Sequence, residues 1–326
     1  MKTQLNIILM ILFIGLIAQS YAIDNWTYVK VDTSRQKWGD FDEPEWLRYF
    51  GLSFQDVNHD ALMDIVSGRY VYLNPGGEMI GPWKRVDFGM NVDVMRCLDV
   101  DGDECADVLG QALPDVYWLE ADSKKGLSWK ARVVAQLPKT GHVNGQGYRV
   151  ADIFAGGKPE ALMSAEGGMY ALVIPEDLTV PTWEVKHVVH SNSNEGFDCA
   201  DVDGDGDLDI VAGSADPDGD GENANILSWY ENPGTRAENW QAHFIGNTVH
   251  AIDRVSIADL NGDGKMDVGV AEEQYPPEGP TAFLFWFEQT ADGWERHTVA
   301  EEWSLHNLDI ADMDDDGDMD LITSEH

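Results

Sequence analysis

Short runs of alternating apolar and polar residues recur along the chain, each broken by turn-forming residues, and one grammar repeats six times. An alternating first strand leads into an acidic loop, and the loop into a second strand such as DIVSG or DIVAG. An aromatic third strand follows, as in VYLNPGG (Val71 to Gly77), SWYENPG (Ser228 to Gly234) and FWFEQ (Phe285 to Gln289). A last strand of pattern W-x-x-x-x-[VI] closes the unit and recurs as WKRVDF, WKARVV, WEVKHVV, WQAHFI and WERHTV. Period-two alternation in runs this short predicts strands. Four strands per unit, repeated at a near-constant period, predict an all-β chain folded as a β-propeller of four-stranded blades. A solenoid of the same period would need helices or strictly equal repeats, and the pattern has neither.

The loop between the first and second strands carries the chemistry. The pattern D-x-[DN]-x-D-x-x-x-D starts at Asp56, Asp99, Asp201, Asp259 and Asp312, with a degenerate copy, DIFAGGKPE, at Asp152. Successive starts differ by 43, 53, 49, 58 and 53 residues. Positions 1, 3, 5 and 9 supply Asp56, Asn58, Asp60 and Asp64 in the first unit, and Asp99, Asp101, Asp103 and Asp107 in the second. The fourth unit supplies Asp201, Asp203, Asp205 and Asp209, the fifth Asp259, Asn261, Asp263 and Asp267, and the sixth Asp312, Asp314, Asp316 and Asp320. With the carbonyl at position 7, such a set matches the oxygen-rich shell calcium prefers, whereas magnesium fits an all-protein cage poorly. An EF-hand would need flanking helices and a Glu at position 12, and neither is present. About five structural calcium ions are therefore expected, one per acid-rich loop. The third unit, with Phe154 and Gly156 at inner positions and Lys158 nearby, is expected to hold none. A further acidic segment, DPDGDGEN (Asp216 to Asn223), reads equally as another calcium loop or as a solvated one.

Composition narrows the class. A formal charge of −38 opposes binding to nucleic acid or anionic lipid. Disorder is excluded by 43% apolar content with 12 Trp, 10 Tyr and 11 Phe, enough for a core. At the start, Lys2, an apolar run from Leu5 to Ala18 and the small-residue site Ser20-Tyr21-Ala22 read as an export signal over residues 1–22, with the propeller spanning 23–326. A secreted or periplasmic protein without membrane insertion is expected, and a monomer. Cys97 and Cys199 occupy equivalent positions of two repeats and read as small core residues rather than a disulfide.

The acidic loops at this period, over roughly residues 26 to 326, resemble the FG-GAP/VCBS repeat family, which includes integrin α-chain propellers and many exported bacterial proteins. The WYENPG strand followed by W-x-x-H is also similar to propellers attached to sugar-processing proteins, the aldos-2-ulose dehydratase propeller among them. The resemblance implies seven blades, yet six repeats are visible, and the sequence stops at Ser324-Glu325-His326, after the second strand of its sixth unit. WTYVKV (Trp26 to Val31) is expected to complete the final blade as its fourth strand. A truncated C-terminus and a six-bladed ring with a defective last blade both remain open.

Registering each first strand on its loop Asp places Ser53, Arg96, Arg149, Asp198, Ser256 and Asp309 toward a central channel. Two positions earlier stand Gly51, Val94, Gly147, Gly196, Arg254 and Asn307, also channel-facing in this register. Phe54, Cys97, Val150, Cys199, Ile257 and Ile310 should pack between blades. The rim opposite the acidic loops gathers Tyr49, Asp93, His142, Gln146, Tyr148, Glu195, His250, Asp253 and His306, with Arg69, Gln111, Glu166, Glu272, Glu273, Glu325 and His326. Arg, His, Glu and aromatic side chains at one mouth suit an anionic or hydroxyl-rich sugar. The plainer reading is that channel Arg and Asp pair with each other. Arg69, Arg96, Glu166, Glu195, His250, Glu272, Glu325 and His326 are the candidate ligand contacts. Recognition of carbohydrate or an extracellular protein partner is the leading expectation. A sugar lyase or dehydratase is the competing one, with His306 or Tyr148 as base and Arg149 or Arg254 steadying an oxyanion. An adhesive module is the third. No Ser-His-Asp elbow, phosphate loop or zinc signature stands in the sequence. The Trp series at Trp83, Trp129, Trp183, Trp240 and Trp294 reads as blade packing.

Overall fold

A computed structural model describes residues 27–35, 49–141, 144–190, 192–214, 225–274 and 282–325. Every regular element in them is a strand, and the sheets are antiparallel, in an arrangement consistent with a β-propeller. The first sheet holds β1 (Leu52–Gln55), β2 (Asp64–Ser67), β3 (Tyr70–Leu73) and β4 (Lys84–Asp87). The second holds β5 (Asp93–Leu98), β6 (Asp107–Ala112), β7 (Asp115–Ala121) and β8 (Trp129–Gln136), and the third β9 (Tyr148–Ala151), β10 (Glu160–Ala165), β11 (Gly168–Val173) and β12 (Glu184–His190). The fourth has β13 (Asn192–Ala200), β14 (Asp209–Ser214), β15 (Ile226–Glu231) and β16 (Gln241–Asn247), and the fifth β17 (Ala251–Ala258), β18 (Asp267–Glu273), β19 (Ala282–Thr290) and β20 (Gly293–Glu302). The sixth has two described strands, β21 (Leu305–Ala311) and β22 (Asp320–Glu325). First strands touch in chain order, β1 on β5, β5 on β9, β9 on β13, β13 on β17 and β17 on β21, so they line a common axis.

Apolar residues of adjacent sheets interleave. Val66 and Val71 pack with Cys97, Val108 and Leu119 between the first two sheets. Trp118, Val134, Met163, Leu172 and Trp183 fill the next gap, and Phe154, Leu162, Phe197, Tyr230 and Trp240 the one after. Val211, Leu227, Val255, Phe285 and Phe287 join the fourth and fifth sheets, and Ala271, Leu284 and Leu305 the fifth and sixth. The second to fifth sheets thus bury both faces against neighbours, as a repeat unit that cannot form a core alone must. Trp129, Trp183, Trp240 and Trp294 of the Trp series serve these gaps. Trp183 N donates to Val134 O of the preceding sheet and Trp240 N to Val188 O (2.7 and 2.8 Å), while Trp129 meets Phe88 edge-on.

Three sequence expectations change. Phe54 is 53% exposed, unlike its equivalent Cys97, because among the described residues no sheet covers that face of the first blade. Residues 27–31 form no strand, and the following Asp32 accepts hydrogen bonds from Tyr72 Oη and Arg85 Nη1 of the first sheet instead of leading a strand onto the sixth. Gly51 and Gly147 meet the backbone of the next inner strand, not an open channel. A Cβ on Gly51 would fall 1.4 Å from Val94 O, and one on Gly147 2.2 Å from Glu195 O. Only glycine permits that approach.

Candidate functional site: the acidic loops and the mouth

In each acid-rich loop, side-chain oxygens accept backbone N–H groups and turn inward. Asp60 N and Ala61 N donate to Asp56, Asp103 N and Glu104 N to Asp99, Asp263 N and Gly264 N to Asp259, and Asp316 N and Gly317 N to Asp312. Position 3 accepts from position 5, as in Asp60 N to Asn58, Asp103 N to Asp101, Asp205 N to Asp203 and Asp263 N to Asn261. The curl needs left-handed backbone at positions 4 and 6. Gly204 and Gly206 supply it freely, yet His59, Ala61, Glu104 and Asp315 adopt it too, at φ of 58 to 69°. As a result Asp99, Asp101 and Asp107 bring one carboxylate oxygen each within 4.8 Å of one another, as do Asp201, Asp203 and Asp209, and Asp312, Asp314 and Asp316. Asp314 Oδ1 is buried with no hydrogen-bond donor among the described residues, the situation a cation would relieve. These clusters fit an oxygen-ligated metal.

Position 9 has a second task. Asp64, Asp107, Asp209 and Asp267 are almost fully buried, and one oxygen of each accepts from the second loop residue (Val57, Val100, Val202, Leu260) at 3.0 to 3.2 Å. The other accepts from the end of the third strand, at Asn74, Ala121, Asn232 and Gln289, at 2.7 to 2.9 Å. Burial raises Asp107 and Asp209 to about 6 against those backbone donors. In the third unit Glu160 keeps the loop half of that task without the cage, its Oε2 accepting from Ile153 N and Phe154 N. Among the described residues Asp320 accepts from Met313 N alone, and it is exposed because its sheet has no described third strand. Lys158 does not sit in its own loop's centre. Its ammonium donates to Val100 O of the neighbouring acidic loop at 2.6 Å.

At the opposite rim, the register of β5 on β6 shifts between Val94 and Arg96, β13 on β14 between Asn192 and Phe197, β17 on β18 between Ile252 and Arg254, and β21 on β22 between Leu305 and Asn307. Such bulges re-aim side chains, and here they sit beside Glu195, Asp253 and His306. Arg254 Nη1 lies 2.8 Å from Asp253 Oδ1 and 3.3 Å from Glu195 Oε2, and Nη2 donates to Gln146 Oε1 at 2.9 Å. His306 presents Nδ1 to Asp253 Oδ2 at 3.6 Å and Nε2 to Glu273 Oε1 at 3.7 Å. Burial raises Glu195 to about 7, opposed by Arg254 and reinforced by Glu273, and burial pushes Asp253 well above the usual carboxylate range. Ser304 Oγ is 3.3 Å from His306 Nε2, but Ser304 is fully buried and cannot meet a substrate as a nucleophile.

The remaining candidates are scattered. Arg149 pairs with Asp198 at 2.8 Å inside the channel. The Tyr148 hydroxyl donates to Leu52 O and accepts from Leu52 N, and burial raises it, so the phenol stays protonated. Arg69 is held by Asp87 and Asn91, and Arg96 is exposed. Glu166 is exposed on the third sheet. Glu272 is fully buried and accepts from Val249 N, His250 N and Phe283 N, which makes it an internal staple, with His250 held by its backbone. Glu325 pairs with Leu305 through β22 and β21. His142, His326 and the DPDGDGEN segment lie outside the described residues.

Residues 201–270 match the family model of the FG-GAP-like repeat. No curated protein matches the chain. Among solved structures it is similar to an Agrocybe aegerita lectin described as recognising non-reducing terminal N-acetylglucosamine, with 16% identity and a TM-score of 0.47 over 78% of this chain and 66% of that one. It is similar also to the V. cholerae biofilm matrix protein Bap1 (18% identity, TM-score 0.42, 76% of this chain and 38% of that one). A third is the NanB sialidase of Streptococcus pneumoniae (12%, 0.39, 67% and 33%). The chain spans less than two thirds of the length of each.

Proposed function

We propose that this chain, with its FG-GAP-like repeat, is an exported propeller whose acidic loops hold structural calcium and whose opposite mouth recognises a hydroxyl-rich carbohydrate or another extracellular partner. The observation that carries the reading is the meeting of Gln146, just before β9, with Glu195, Asp253, Arg254 and His306 of the next three sheets, beside repeated bulges. Charge refines it. Arg254 is already compensated by Asp253 and Glu195, and Glu273 adds a further acid, so the mouth disfavours an anionic sugar and suits neutral hydroxyls that share hydrogen bonds with carboxylates. The Asp32 anchor, the inter-sheet Trp contacts and the loop acids supply the rigid frame such a site needs. Among the described residues no helix is long and apolar enough to cross a membrane. The export signal, the calcium count and the monomeric state belong to this proposal.

A glycan array carrying neutral and uronate-containing oligosaccharides tests it. Binding of neutral glycans, lost in Glu195→Ala and kept in Asp203→Ala, supports the reading. Absence of any binding, or binding indifferent to Glu195→Ala, rejects the mouth as the site.

One observation favours an enzyme as a second reading. Asp253 faces His306 Nδ1 at 3.6 Å, an orientation that readies an imidazole to take a proton, with Arg254 adjacent. A lyase or dehydratase would then generate ultraviolet absorbance from a new conjugated double bond, lost in His306→Ala. Glycan binding without that absorbance rejects it.

A further inference from the structure

We infer that Asp253, Glu273 and His306 form a site for one divalent first-row transition-metal ion, zinc by preference, at the mouth and separate from the acidic loops. One ligand atom from each lies within 4.8 Å of the other two. Tetrahedral zinc with bonds of about 2.0–2.1 Å sets its ligands roughly 3.3 Å apart. The printed approaches of His306 to the two carboxylates, 3.6 and 3.7 Å, are within a small side-chain adjustment of that spacing.

An independent feature points to a missing partner. Asp253 is 2% exposed, and its Oδ2, turned toward His306, has no hydrogen-bond donor among the described residues although it is buried. A buried carboxylate oxygen left so is costly, and a cation is what would satisfy it. Arg254 Nη1 meanwhile holds Oδ1 at 2.8 Å, which orients Oδ2 into the site as outer partners of metal ligands do. The donor set chooses the metal. Calcium and magnesium take oxygen, as the acidic loops offer, whereas an imidazole with two carboxylates suits zinc and its neighbours. Two carboxylates also neutralise a divalent ion. The three residues come from β17, β18 and β21, so a bound ion would tie the fifth sheet to the sixth.

The test uses the full chain in excess calcium, so that the loops are filled, with zinc as the only added ligand. Calorimetric titration should give one zinc per chain, and cobalt in its place should give visible absorption bands of an imidazole-containing site. His306→Ala should abolish uptake, and Glu273→Gln, at the partly exposed rim, should weaken it at least about tenfold. Should His306→Ala fail to fold, Glu273→Gln carries the decision. No zinc uptake by the calcium-loaded protein, or equal uptake in Glu273→Gln, overturns the inference, and neither result depends on whether a glycan binds.

Discussion

Arg149 Nε lies 2.8 Å from Asp198 Oδ1, and the other oxygen of Asp198 accepts from Ile257 N at 3.1 Å, so one carboxylate joins the inner strands of three successive sheets. The two partners are therefore unequal. Arg149→Ala loses a pair whose arginine side chain is 39% exposed and should cost about 1 kcal/mol, because water screens such a charge. Asp198→Ala also strands a backbone donor and should cost about 2–3 kcal/mol. Urea midpoints of the two variants would show the difference, and equal losses would contradict this account of the channel.

Loop acids should divide into ligands and staples. Asp203 faces its neighbours in the cluster, so Asp203→Ala should lower the melting temperature in calcium and change little in chelator. Asp209 also receives Val202 N and Asn232 N, and Asp209→Ala should cost about 2–3 kcal/mol even in chelator. Thermal melts with and without calcium separate the two.

Inner-strand glycines should be intolerant for reasons of space. Gly147→Ala drives a Cβ to 2.2 Å from Glu195 O and should cost about 3 kcal/mol. Gly204→Ala meets nothing within 4 Å and pays only for its φ of +81°, about 1–2 kcal/mol. Denaturant unfolding of the pair checks the order.

The repeat, the strands, the inter-sheet Trp residues and the inward-turned loop acids were legible because alternation and spacing depend on local chain geometry. Alternation could not show the bulges, since an extra residue shifts the register without changing composition. Nor could it show how closely neighbouring inner strands approach, so it aimed Gly51 and Gly147 into a channel that neighbouring backbone fills. The rim list was assembled by strand position alone, so it mixed Glu272, an internal staple, with Glu273, which faces His306. The third loop reads as degenerate from Phe154 and Gly156, and the role of Glu160 was not legible, because only the fold reveals that position 9 also serves backbone donors.

Asp93 gives a pH signature. It is fully buried, and burial raises it to about 7 although Phe50 N and Gly51 N donate to it. A carboxyl raised on folding keeps its proton where the unfolded chain, at about 4, has released it. Its contribution is complete below about pH 4 and disappears as pH rises through 7. The stability difference between the natural protein and Asp93→Ala should fall by about 2–3 kcal/mol from pH 5 to pH 8 in urea titrations. A difference independent of pH would contradict the burial.

The central claim is that the acidic loops are cation cages that hold the sheets together. Metal-stripped protein, titrated with calcium by calorimetry and melted at each point, tests it most directly. The account predicts uptake of about five ions per chain, one per acid-rich loop, with a melting temperature that climbs as they bind. A folded chain that takes up no calcium and melts at the same temperature throughout would contradict it.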